Sequence, residues 1–172
     1  MSRFLITWGA ILLAGAALIA CTPETADPIR AYHTPIRSSI ELAAELTALC
    51  QSAMAPSTSA RSRPILVEFS AAWCSDCQRL GEMKQAKVLA DELSEWPNTT
   101  VNVGRFDHHR DILDAMEIES IAHWAILQPT NCADPIDRWT RIADRTLEVS
   151  SGEARKLTPA DLAGWLRTFR TS

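Results

Sequence analysis

The 172-residue sequence has no surplus of positive charge. Its 17 Lys and Arg stand against 21 Asp and Glu, a formal net charge of -4. Gripping a phosphate backbone requires a basic face, so nucleic acid is not expected as a partner. No internal repeat or low-complexity tract is present, which excludes a repeat array. Cysteine is sparse, at five residues. Among these, Cys74 and Cys77 form the one closely spaced pair. A structural zinc site takes four ligands, and no second close pair is there to complete one. The length suits one domain and a leader.

The leader is Met1 to Ala20. Arg3 supplies a short basic start, and Phe4 to Ala20 is an almost unbroken apolar run. An uncleaved membrane anchor needs about 20 apolar residues and is the alternative reading. The ending Leu18-Ile19-Ala20-Cys21 is similar to the bacterial lipobox, whose cysteine becomes the lipidated N-terminus after cleavage. The expected division is a lipoprotein signal peptide over 1–20, a lipidated tether over 21–37 and a folded domain over 38–172. Pro23, Pro28 and Pro35 stiffen the tether among polar residues. Two or more acyl chains on Cys21 hold a protein stably on a bilayer. Thr22 follows that cysteine rather than Asp, which favours the outer over the inner membrane of a bacterial envelope. On the periplasmic side, disulfides form and persist. With Cys21 set aside, Cys50, Cys74, Cys77 and Cys132 allow three pairings. Cys50 and Cys132 either form a second bridge or remain as buried thiols.

Along the domain, Ser38 or Ser39 can cap a helix running to about Met54, with Leu42, Leu46, Leu49, Cys50 and Ala53 on one face. Ala55 to Arg63 is a Ser/Pro-rich loop. Ile65 to Ser70 is an apolar strand. A helix beginning at the first cysteine of the pair is expected to continue to about Trp96. Its inner face carries Leu80, Met83, Ala86, Lys87, Ala90 and Leu93, the Lys87 stem lying over apolar surface. Thr99 to Phe106 reads as a strand, Asp107 to Glu117 as a short helix and Ile121 to Leu127 as a strand. A loop follows to Asp137, then a strand or hairpin within 138–149. Thr158-Pro159-Ala160-Asp161 opens a closing helix with Leu162, Trp165, Leu166 and Phe169 inward. This alternation predicts an α/β fold, a central mixed sheet with helices on both faces.

The chemistry centres on Cys74. Free N–H groups and the positive end of the helix dipole favour a thiolate there, lowering a pKa that is ordinarily about 8.5. Cys77 lies one turn inward on the same face. Such a pair can open and close a disulfide with little backbone movement.

An apolar strand, an acid one residue before an aromatic, then Trp73-Cys74-Ser75-Asp76-Cys77 resembles the thioredoxin superfamily. Ser75-Asp76 is closer to small thioredoxin-like proteins with a W-C-x-D-C motif than to thioredoxins proper. The Val101-Asn102-Val103-Gly104-Arg105-Phe106-Asp107 segment is similar to one bacterial group of that superfamily. The resemblance covers about residues 38–170. It implies a thioredoxin-like fold and a thiol–disulfide oxidoreductase, with Cys74 as nucleophile and Cys77 as resolving thiol. Glu68 falls on a buried carboxylate behind the cysteines and Trp73 on the family's tryptophan. In such a setting Glu68 is expected to have a raised pKa and to relay a proton to or from Cys77. The opposing reading is a half-exposed Glu68 paired with a Lys or Arg. Protein thiols or disulfides are the implied substrates, with an upstream electron donor, no dissociable cofactor and a monomeric protein. Asp76 opposes thiolate formation, so the dithiol is expected to be reducing rather than strongly oxidising.

The pattern departs at Ala122, which aligns with the family's cis-proline. Without proline a cis bond costs about 2.5–4 kcal/mol, so a trans bond is expected before Ala122. His123 beside it is read as facing solvent or bonded to backbone; alternatively it tunes Cys74 or joins a metal site. His108 and His109 are expected to sit exposed at a helix start. Two other functions stay open: a copper or zinc chaperone using Cys74, Cys77 and His123, and a thioredoxin-fold binding domain with vestigial cysteines.

Overall fold

The computed structural model describes residues 34–54, 63–148 and 157–170. The expected signal peptide, Cys21 and most of the expected tether lie outside the described residues, as does most of the 55–63 loop. The elements are α1 (Ser39–Met54), β1 (Ile65–Ser70), α2 (Ser75–Lys84), α3 (Lys87–Ser94), β2 (Asn98–Asn102), α4 (Arg110–Ala115), β3 (His123–Gln128), β4 (Thr140–Thr146) and α5 (Pro159–Arg170), with a 3-10 turn at Ile136–Arg138.

Two helices start where their caps dictate. Ser38 and Glu41 form a reciprocal box: Glu41 N–H donates to Ser38 Oγ at 3.3 Å, and Ser38 N–H donates to Glu41 Oε2 at 2.8 Å. Thr158 and Asp161 repeat it at α5, with Thr158 N–H donating to Asp161 Oδ2 at 2.9 Å. Pro159 follows at the first helical position. Leu42, Leu46, Cys50 and Ala53 of α1 are buried, as the helical spacing requires.

The sheet order is β2-β1-β3-β4. β1 runs parallel to β2 and antiparallel to β3, and β3 is antiparallel to β4. All six residues of β1 are buried, as are the first five of β3. Burial on every residue, not every second one, means that both faces of the central strands are covered by helices. Arg37 pairs with Glu45 of α1, and its guanidinium donates to the Thr100 carbonyl of β2. Residues 34–37, the end of the stretch expected as a tether, therefore rest against the domain.

The helix expected to reach Trp96 unbroken is two helices. Gln85 closes α2 by donating to the carbonyls of Glu82 and Met83, and Ala86 turns extended to start α3. The break shifts the helical phase, so α3 buries Leu89 and Glu92. Lys87 does not lie over apolar surface: it is exposed and pairs with Asp91. Glu92 tolerates burial because Trp96 Nε1 donates to it at 3.2 Å and Arg167 and Arg170 of α5 lie at 3.1 and 3.3 Å. β2 stops at Asn102, before the expected Phe106. There the Asn102 side chain accepts from Gly104 N–H at 3.0 Å, and Gly104 turns to φ +59°. Phe106 and His109 also have positive φ, which delays α4 to Arg110.

Candidate active site

β1 delivers the chain to the site, and α2 receives it. Cys74 is the N-cap of α2, in extended conformation, and its Sγ accepts from Cys77 N–H at 3.1 Å. The sulfur thus occupies the position where unsatisfied helix N–H groups and the dipole favour negative charge. Cys74 and Cys77 form a disulfide with Cα atoms 5.2 Å apart. Both are 5% exposed. Ser75 is exposed in the first turn, with Asp76 half-buried beside it.

Trp73 is half-exposed and held in place. Its Nε1 donates to the Gly104 carbonyl at 2.6 Å, and its ring lies 6.2 Å from that of Phe106. Gly104 is required twice. Its φ of +59° favours glycine, and a Cβ there would come within 2.3 Å of Asp107 Oδ1 and 2.5 Å of a His108 ring carbon. Asp107 is in place because it accepts from Arg105 N–H at 2.7 Å. That bond also keeps the Asp107 carboxyl below its ordinary pKa.

Glu68 is buried, not half-exposed, yet it does meet a lysine. Lys84 Nζ lies 2.9 Å from Glu68 Oε2, and Trp124 Nε1 donates to the same oxygen at 2.9 Å. Lys84 stands two turns beyond Cys77, on the same side of α2. Trp124 faces Glu68 through the β1–β3 register. A cavity of about 20 Å³ is lined by Glu68, Ser70, Cys77 and Lys84, enough for about one water molecule. Lys84 and Trp124 went unread in the sequence. The i+7 spacing from Cys77 was the signal for the first; no local signal marks the second.

The Phe69–His123 pairing sets residues 121–122 beside the end of β1, where the cysteine loop begins. The Ile121–Ala122 bond is cis, contrary to the trans bond expected. Both residues are buried, and the Ala122 carbonyl accepts from Leu147 N–H at 2.7 Å. The packed chain on both sides, not the residue's own preference, fixes the path here. His123 does not face solvent. It is 7% exposed, with its ring edge-on to Phe69. Its Nδ1 lies 3.2 Å from Thr146 Oγ1. Its Nε2 lies 3.3 Å from Asp144 Oδ2, close enough for an ion pair but not aligned as a hydrogen bond. Burial holds the imidazole below its ordinary pKa, against the opposing pull of Asp144. Its Nδ1 is thus engaged with Thr146 of β4, and its Nε2 lies near Asp144. No three His, Cys, Asp or Glu side chains converge on a metal-sized site among the described residues. His108 is exposed as expected, but His109 is buried at the start of α4, where it meets the Arg37 backbone. Cys50 and Cys132 are bridged, with Cα atoms 5.4 Å apart.

No protein-family model matches the sequence, and no curated protein matches it. Solved structures do. The reduced C-terminal domain of DsbD from Neisseria meningitidis is 12% identical, with a TM-score of 0.56, over 79% of this chain and 100% of that one. A disulphide isomerase from Xylella fastidiosa Temecula1 is 16% identical, with a TM-score of 0.51, over 75% and 88%. A mixed four-stranded sheet with a CxxC disulfide at the head of a helix defines the thioredoxin-like class. This chain has the thioredoxin-like fold, with Trp73-Cys74-Ser75-Asp76-Cys77 as its cysteine motif.

Proposed function

We propose that the protein is a membrane-anchored thiol–disulfide oxidoreductase that exchanges disulfides with protein substrates through Cys74 and Cys77. The observation that carries this reading is the Cys77 N–H to Cys74 Sγ contact at the start of α2. In the dithiol form, the Cys74 thiolate attacks one sulfur of a substrate disulfide. A mixed disulfide forms, and the first substrate thiolate leaves and takes a proton. The Cys77 thiol then gives its proton to the Glu68 carboxylate, through a water in the small cavity between them. The Cys77 thiolate attacks Cys74 Sγ, closing the intramolecular disulfide and releasing the second substrate thiolate. Two electrons pass to the substrate, and a dithiol donor upstream restores the pair.

Cys21 would carry the lipid, setting a monomeric domain on the periplasmic side of the envelope, at the outer membrane. The support is the Leu18-Ile19-Ala20-Cys21 ending and the absence of Asp after it. No dissociable cofactor enters this cycle. Asp76 beside the pair favours a reducing protein, nearer the roughly -270 mV of thioredoxin than the roughly -120 mV of DsbA.

The test is reduction of insulin by wild type, Cys74→Ser and Cys77→Ser. Wild type should precipitate insulin with dithiothreitol as donor. Cys77→Ser should accumulate a mixed disulfide through Cys74, and Cys74→Ser should do neither. Wild type and Cys74→Ser equally inactive across several dithiol donors would sink the enzyme reading.

A further inference from the structure

A groove of about 320 Å³ adjoins the cysteine motif. Ala72 and Trp73, the two residues before Cys74, form part of its lining. Asn102 at the end of β2 and Gly104 just after it form another part, and Ile36 adds a wall from the segment before α1. Five large apolar side chains are exposed among the described residues. Two of them, Ile36 at 47% and Trp73 at 50%, line this one groove. Arg105 and Asp107 of the lining have opposite signs, so apolar surface rather than charge selects what binds.

The two apolar walls are fixed by one chain of hydrogen bonds. Trp73 Nε1 donates to the Gly104 carbonyl at 2.6 Å, Gly104 N–H donates to Asn102 Oδ1 at 3.0 Å, and Asn102 Nδ2 donates to the Thr34 carbonyl at 2.6 Å. Asn102 thus ties the turn that holds Trp73 to the segment that carries Ile36. On the other side of Ile36, Arg37 pairs with Glu45 and donates to the Thr100 carbonyl. Ile36 therefore sits between two anchored residues, Thr34 and Arg37, with its own side chain half uncovered. Apolar groups that are held still and left bare mark an interaction site, because little ordering is left to do when a partner arrives.

We infer that this groove receives a large apolar side chain of the protein substrate, one or two residues from the substrate's cysteine, and that Ile36 is the residue that selects it. The inference rests on the exchange reading above. Contiguity chooses the occupant. Cys74 must touch the substrate in that cycle, and Trp73 is bonded to Cys74, so a chain engaged at Cys74 passes the groove. Consecutive Cα atoms are about 3.8 Å apart, which sets the reach at one or two residues. Asn102 is a positioning residue that acts through Thr34 and Gly104. A substrate with Leu beside its cysteine is then preferred over one with Ser there.

The experiment uses the full chain in phosphatidylcholine nanodiscs, with empty nanodiscs as blank. Two peptide disulfides are compared, the dimers of acetyl-Ser-Leu-Cys-Leu-Ser-amide and acetyl-Ser-Ser-Cys-Ser-Ser-amide. Each oxidises the reduced protein in a single turnover: the Cys74–Cys77 disulfide forms, the peptide disulfide breaks, and both peptide thiols leave. Acid quenching and mass spectrometry give the rate. Wild type should react about tenfold faster with the Leu peptide, through a lower half-saturating concentration. Ile36→Ser should bring this ratio below about threefold, and Asn102→Ala should do the same with Ile36 and Trp73 both present. Ile40→Ser removes an apolar side chain that is 83% exposed but outside the groove, and should keep the full ratio. A second arm needs no exchange. The two peptides with Ala for Cys are titrated onto the oxidised chain, and the Trp73 indole N–H resonance is followed. The Leu peptide should shift it in wild type and not in Ile36→Ser. No exchange with either dimer, but a Trp73 shift that needs Ile36, would sink the exchange reading and leave the docking groove standing. A ratio near one in wild type, a ratio kept in Ile36→Ser or lost in Ile40→Ser, or a Trp73 signal that the Leu peptide does not move would overturn the inference. A faster Leu reaction in Ile36→Ser would assign the groove to the chain's own residues before Thr34, and loss of self-association by sedimentation in that variant would assign it to a second copy; either would overturn it too.

Discussion

Glu68 Oε2 accepts from Trp124 Nε1 at 2.9 Å, across two neighbouring strands. The indole fixes the carboxylate behind the cysteine pair, and Lys84 fixes it from the helix side. The group that the proposed cycle needs as a proton acceptor is thus held by one residue of the sheet and one of α2.

Glu68→Gln keeps the shape and an acceptor for Trp124 but cannot take a proton. Release of the mixed disulfide should slow by about 10²-fold, and its pH dependence should flatten. Formation of the mixed disulfide should be little changed. Stopped-flow trapping with a small disulfide separates the two steps. Equal slowing of both would assign Glu68 a structural role only.

Gly104→Ala should cost roughly 1–3 kcal/mol of stability, since a left-handed residue gains a Cβ that displaces Asp107. Urea unfolding measures this. The Trp73 indole should also lose its fixed position, raising the KM for a protein substrate more than that for a small disulfide. Wild-type stability and unchanged KM would contradict the part assigned to this turn.

The Cys50–Cys132 bridge closes a sequence separation of 82 residues. Replacing both cysteines with Ala should lower stability by about 2–5 kcal/mol, mostly through a freer unfolded chain. Insulin reduction per folded molecule should stay near wild type. Lost turnover with retained folding would make this second bridge part of the exchange chemistry.

Burial lowers the pKa of His109 and of His123. An unfolded chain therefore binds protons at these two positions below about pH 6.5, while the folded chain resists. Stability should fall as pH drops below that point and be fully regained above it. Urea midpoints between pH 5 and 8 should follow this trend, and His123→Gln should weaken it. A midpoint that rises on acidification would refute the assignment.

What the sequence shows of this fold depends on how local the cause is. Ser38, Glu41, Thr158 and Asp161 act within one turn, and both helix starts were legible from them. β1 and the cysteine motif were legible because an apolar run ending in Trp73-Cys74 has few other uses. The break at Gln85–Ala86 carries no Pro or Gly, so the sequence pattern runs on as one helix and puts Lys87 on the inward face, whereas the structure turns Lys84 to Glu68. His109 and Ala122 depend on partners distant in sequence, Arg37 for one and Leu147 for the other. The partnership of Cys50 with Cys132 joins residues far apart in sequence, and nothing local chooses it over two buried thiols.

The most direct test is the rate at which iodoacetamide modifies each sulfur of the reduced protein across pH, read by mass spectrometry. The expected result is that Cys74 reacts first, with a midpoint clearly below the ordinary thiol value of about 8.5, while Cys77 stays slow. Equal and slow modification of both at neutral pH would contradict a thiolate held at the head of α2.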